Sequence, residues 1–86
     1  GLGDVYKRQN HTPPAESLDA RGEQCPMPLL MAKRALSALP SGAVLEVLST
    51  DAGSERDFES FARLAGHVVA CERLPDDVLR LTITQA

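Results

Sequence analysis

Cys25-Pro26-Met27-Pro28 sets a cysteine immediately ahead of a segment with the apolar spacing of an amphipathic helix. The first four N–H groups of a helix have no partner within it, so proline there forfeits no hydrogen bond. Two prolines in that turn preset φ and leave the N–H groups of Met27 and Leu29 directed back toward residue 25. A thiol held there meets the positive end of the helix dipole, worth roughly 0.3–1 kcal/mol to an exposed anion and about 2 in a partly buried geometry. The expectation is a thiol pKa lowered by roughly 0.5 to 1.5 and a larger share of nucleophilic thiolate. The plainer alternative, a cysteine that merely caps a helix, goes against the usual caps Ser, Thr, Asp and Asn. The stretch reads as a reactive sulfur on a rigid mount.

Groups that would assist such a sulfur are not at readable spacing. His11 falls in an unstructured lead, and His67 opens a strand away from the motif, so a Cys–His pair would need the fold to bring them together. Cys71 lies mid-strand between Ala70 and Glu72 and reads as a small, half-buried apolar residue rather than a resolving thiol. There is no C-x-x-C motif, which argues against a thioredoxin-like reductase, and no metal-ligand spacing.

The elements that must hold Cys25 follow from periodicity. Ser17 to Ala20 is a short extended stretch closed by a turn at Arg21-Gly22. From Met27 to Leu39 the pattern is helical, with Leu29, Ala32, Leu36 and Leu39 on one stripe widened by Ala35. Pro40-Ser41-Gly42 stops it, and Ala43 to Ser49 reads as a largely buried strand. Ser54-Glu55-Arg56-Asp57 has the form of a capping box, in which the Ser54 hydroxyl accepts from the Asp57 N–H and the Asp57 carboxylate reaches back. Phe58, Phe61, Ala62 and Ala65 then mark a second helix ending at Gly66. His67 to Leu74 and Val78 to Thr84 form a hairpin across Pro75-Asp76-Asp77, the last strand alternating Leu79, Leu81, Ile83 against Arg80, Thr82, Thr84. The order is βαβαββ, an α+β two-layer sandwich with a four-stranded mixed sheet and both helices on one face.

Size and composition bound the rest. The 86 residues suffice for one small domain. Residues 1–16 read as a disordered lead, whose first ten, Gly1 to Asn10, look like a translated adapter or cloning scar; residues 17–86 are the domain. The net charge of −3 becomes −4 without Asp4, Lys7 and Arg8. Scarce aromatics and scattered basic residues give no stacking platform or phosphate-tracking groove, so direct nucleic-acid binding is not expected. No apolar run is long enough to span a membrane. Sparse cysteine fits a cytoplasmic protein with free thiols.

Leu18-Asp19-Ala20-Arg21-Gly22-x-x-Cys25-Pro26-x-Pro28, followed by an amphipathic helix, resembles the TusA/SirA (YhhP-like) family of sulfur-carrier proteins. The similarity runs from about Ser17 to Ile83 and includes Thr50-Asp51-x-Gly53-Ser54-x-Arg56-Asp57 at the start of the second helix. Ala52 stands where many relatives carry proline, and Glu23 where many carry an apolar residue. The resemblance implies a βαβαββ sandwich in which Cys25 accepts sulfane sulfur as a persulfide and hands it on. It implies a cysteine desulfurase or rhodanese-type donor and a downstream relay acceptor protein, serving tRNA thiolation, molybdenum-cofactor supply or sulfur oxidation. Asp19, Gly22, Pro26 and Pro28 would support the cysteine loop; Met27, Asp51, Arg56 and Asp57 would meet a partner or orient that loop. A carrier of this kind is expected to need no cofactor, metal or general base, because its partners supply activation. It is expected to be a monomer that pairs transiently. A redox protein using Cys25, or a regulatory module in which the thiol is incidental, are the alternatives.

Overall fold

The computed structural model describes residues 16–86. The expected lead, with its adapter-like first ten residues and His11, lies outside the described residues except for Glu16, which opens the first strand. The elements run β1 (Glu16–Ala20), α1 (Met27–Ser37), β2 (Val44–Ser49), α2 (Ser54–Ala65), β3 (Val68–Leu74) and β4 (Val78–Thr84). β1 pairs parallel to β2, and β4 lies between β2 and β3, antiparallel to both. This is the expected α+β sandwich. α1 packs on β1 and β2 while α2 packs mainly on β3 and β4, so both helices cover one face, as right-handed crossovers require.

Alternation along the strands fixes which side chains meet the helices. Leu45 and Val47 of β2 pair with Ile83 and Leu81 of β4, and all four are fully buried. Phe58 of α2 and Ala32 and Leu36 of α1 complete the core. Each such aliphatic side chain contributes about 1.5–3 kcal/mol by leaving water. The opposite sheet face is polar: Arg80 pairs with Glu72 directly across β3 and β4 at 2.5 Å, and with Glu46 of β2 at 3.9 Å.

Both helix ends differ from the simplest reading. α1 stops at Ser37 rather than Leu39, because Ala38 and Leu39 donate to the carbonyls of Ala35 and Leu36 and tighten the last turn. The Gln85 side-chain amide also donates to the carbonyls of Leu36 and Leu39, at 2.8 and 3.2 Å. The capping box ahead of α2 does not form. Gly53 is the N-cap, the Asp57 N–H donates to the Gly53 carbonyl, and the Ser54 hydroxyl turns inward to the Ser49 hydroxyl at 2.7 Å. α2 ends as expected at Gly66, whose φ of 81° is the left-handed conformation that glycine adopts without strain.

The buried Ser49–Ser54 pair ties the end of β2 to the start of α2, and the Ser49 hydroxyl also accepts from the Asp51 N–H at 3.2 Å. Ser54→Ala leaves Ser49 short of a partner in a dry site, so we expect it to cost about 1–3 kcal/mol in urea unfolding. A cost below a few tenths would mean that water replaces the lost hydroxyl.

Candidate functional site

The β1–α1 and β2–α2 loops leave the sheet side by side, because parallel β1 and β2 both end there, at Ala20 and Ser49. Sites of open α/β sheets characteristically form at the carboxyl ends of such strands. The two loops are stitched together. The Gly22 N–H donates to the Thr50 hydroxyl at 2.9 Å, and the Cys25 N–H donates to Asp51 Oδ2. Asp51 Oδ1 accepts from the Gly53 N–H at 2.8 Å, so one carboxylate clamps the cysteine loop and the entry to α2. These two backbone donors hold the Asp51 carboxyl below its ordinary pKa.

Cys25 is exposed and faces two open cavities of about 560 and 610 Å³, the first walled by Glu23 and Asp51, the second by Glu55, Arg56, Asp57 and Glu59. Its Sγ–H donates to Asp57 Oδ2 at 2.5 Å. That contact, partial desolvation and the charges of Asp57 and Asp51 together push the thiol above its ordinary pKa. The expected lowering by the helix terminus is therefore overturned. The cause is twofold: carboxylates from the neighbouring loop and helix reach the sulfur, and the Met27 N–H is spent on the Gln24 carbonyl at 2.8 Å.

The remaining sequence-selected residues divide by position. Asp51 and Asp57 converge on Cys25, and Arg56 lines the same cavity. Pro26 occupies the N-cap of α1, Pro28 is buried beneath it, and Met27 between them is 44 % exposed. Gly22 turns with φ of 87°, a conformation costly for other residues, and so frees its N–H for Thr50. Asp19 does not reach the sulfur. Its carboxylate is forked onto Arg21, accepting from Nε at 2.9 Å and Nη2 at 2.8 Å, which lowers its pKa to about 2.

His67 stands at the opposite end of the sheet, where Nδ1 accepts from the Ala86 N–H and the ring leans on Phe61. Cys71 is half-buried against the core from β3; burial first, then Glu55, pushes its thiol up, and both cysteines are free. Sequence reasoning missed Thr50 and Gly53 as site residues. A Cβ on Gly53 would lie 3.3 Å from Asp51 Oδ1 and 3.9 Å from Cys25 Sγ, so the glycine lets α2 start against the cysteine. The motif Thr-Asp-x-Gly carried that signal, but a polar loop between a strand and a helix has many ordinary readings.

Comparison with known proteins agrees with the fold. The family model described as "Sulfurtransferase TusA" matches residues 16–85. A Neisseria meningitidis protein named "Putative sulfur carrier protein" is 45% identical over 69 residues, covering 80% of this chain and 93% of its own. The sulfur carrier protein TusA of Allochromatium vinosum is 50% identical over 52 residues, covering 60% of this chain and 68% of its own. The crystal structure of a SirA-like protein from Desulfitobacterium hafniense superposes with a TM-score of 0.75 at 30% identity, over 80% of this chain and 95% of that one. With the motif, the fold and these likenesses in agreement, the chain belongs to the TusA/SirA family.

Proposed function

We propose that this chain is a sulfur carrier, with residues 17–86 as the carrier domain and Cys25 as the atom-bearing residue. The observation that carries the reading is an exposed thiol fixed by backbone contacts where two sheet-end loops meet, open on two sides. In the loading step the Cys25 sulfur attacks the outer sulfur of a donor persulfide. The donor S–S bond breaks, the donor leaves as its thiolate, and the proton given up by Cys25 ends on that thiolate. Cys25 then carries –S–SH, and the same exchange in reverse sense passes the outer sulfur to an acceptor thiol. No net oxidation occurs, so no redox cofactor enters the balance.

A cysteine desulfurase or rhodanese-type protein fits as donor, and a further thiol-bearing relay protein as acceptor, in the cytoplasm where thiols stay reduced. Among the described residues no helix is long and apolar enough to cross a membrane. The relay would supply tRNA thiolation, molybdenum-cofactor synthesis or sulfur oxidation. The test is to incubate the protein with a cysteine desulfurase and cysteine, remove the donor, and release sulfane sulfur with cyanide. About one thiocyanate per chain is the expected yield; none, with the thiol intact, would end the proposal.

A further inference from the structure

The charge around Cys25 is one-sided. Glu23 and Asp51 line its cavities from the two loops and Asp57 and Glu59 from α2, where Glu55 is paired with Arg73 of β3 at 3.5 Å; Arg56 is the one cation among the described residues lining these cavities. Lys33 of α1 shares a separate groove with Asp57, where its ammonium lies over the Phe61 ring. Of these groups Asp57 alone receives the thiol hydrogen bond. A carboxylate in that position both holds the proton on sulfur and repels an approaching anion.

We infer that Asp57 makes Cys25 selective by charge, so that sulfur is accepted from donors that bring a cation against the Asp57 carboxylate and anionic sulfur compounds are turned away. This deepens the carrier reading and rests on it. A lysine or arginine beside the donor's persulfide would engage Asp57, release the thiol from its hydrogen bond and let the thiolate form as the outer sulfur comes within reach. Free polysulfide, being anionic, gains no such help. Thiolate is the attacking form in sulfur exchange, so control of the proton is control of the reaction.

Small disulfides of different charge isolate the effect. Cystamine is cationic, 2-hydroxyethyl disulfide neutral and 3,3′-dithiodipropionate anionic. In each, the Cys25 sulfur attacks one sulfur, the S–S bond breaks, and the departing thiolate takes up a proton. A charge ~4 Å from a carboxylate in water shifts an equilibrium about fivefold in either direction, so cystamine should outpace dithiodipropionate on the order of twentyfold. Asp57→Asn should bring that ratio close to one, any small remainder coming from Asp51 and Glu23. Asp57→Glu should keep most of it.

A neutral alkylating agent provides a second reading. In Asp57→Asn the pH at half-maximal alkylation should fall, and the rate at pH 7 should rise about threefold for each tenfold gain in thiolate, since nucleophilicity falls as the thiol becomes more acidic. An unchanged ratio and an unchanged pH profile in Asp57→Asn would overturn the inference. Should that variant not fold, added salt tests the wild-type protein directly: 0.5 M salt should collapse the cystamine preference, and a salt-independent ratio would equally overturn it. Cyanide-releasable sulfur is measured alongside. Its absence would end the carrier reading, whereas a charge-blind thiol that still loads would end this inference alone.

Discussion

Phe58→Ala is expected to destabilise the domain by about 3–5 kcal/mol, a large part of the roughly 5–15 kcal/mol that holds a domain of this kind together. Phe58 is fully buried in the central cluster, where α2 meets the sheet. Removing its ring forfeits transfer free energy and leaves a cavity that a close-packed two-layer core fills poorly. The effect should reach the site, because Asp57 precedes Phe58 on the same turn and Asp51 and Gly53 fix the entry to that helix. Urea unfolding gives the measurement: the midpoint should fall by about 2 M or more. Leu64→Ala serves as control, since Leu64 is 88 % exposed, and should change stability by less than about 0.5 kcal/mol. A cost below about 1 kcal/mol for Phe58→Ala would mean that the core repacks around the loss.

Cys25→Ser is expected to abolish sulfur uptake altogether while leaving the fold intact. The side chain is exposed, and the contact that fixes the loop runs from the Cys25 backbone N–H to Asp51, which serine retains. Serine oxygen cannot form the persulfide, so the loss should be complete rather than graded. Cys71→Ser should load at the wild-type level, because Cys71 packs against the core from β3 and its thiol is raised by burial. Cyanide-releasable sulfur from the two variants, measured after exposure to a cysteine desulfurase and cysteine, separates these outcomes. Substantial uptake by Cys25→Ser would move the sulfur to another residue.

Much of the architecture was legible because it rests on periodicity and punctuation. The alternation of Leu79, Leu81 and Ile83, the stripe through Ala32 and Leu36, and the glycine stop at Gly66 each translate directly into buried faces and a helix end. What the chain did not disclose are contacts between residues distant in sequence. Ser54 has the pattern of a cap, yet a buried hydroxyl five residues back, on Ser49, is the stronger attraction. Gln85 finishes α1 from the far end of the chain.

The same gap separates the two views of Cys25. Local sequence supplies a helix terminus, which favours thiolate. The carboxylate that decides the proton's place lies 32 positions onward, and the β2–α2 turn brings it in. Asp57 was readable as a member of the motif, but its contact with the sulfur was not. Asp19 shows the converse: it sits within the motif, yet Arg21 two residues on engages its carboxylate.

The most direct test of the central claim is intact-protein mass spectrometry of the wild-type chain after incubation with a cysteine desulfurase and cysteine, followed by digestion to locate any added mass. A gain of one sulfur atom, removed by reductant and mapped to the peptide bearing Cys25, is the predicted result. An unchanged mass under those conditions, with mild oxidant instead producing a Cys25–Cys71 disulfide or a stable sulfenic acid, would contradict the carrier account and make this a redox thiol.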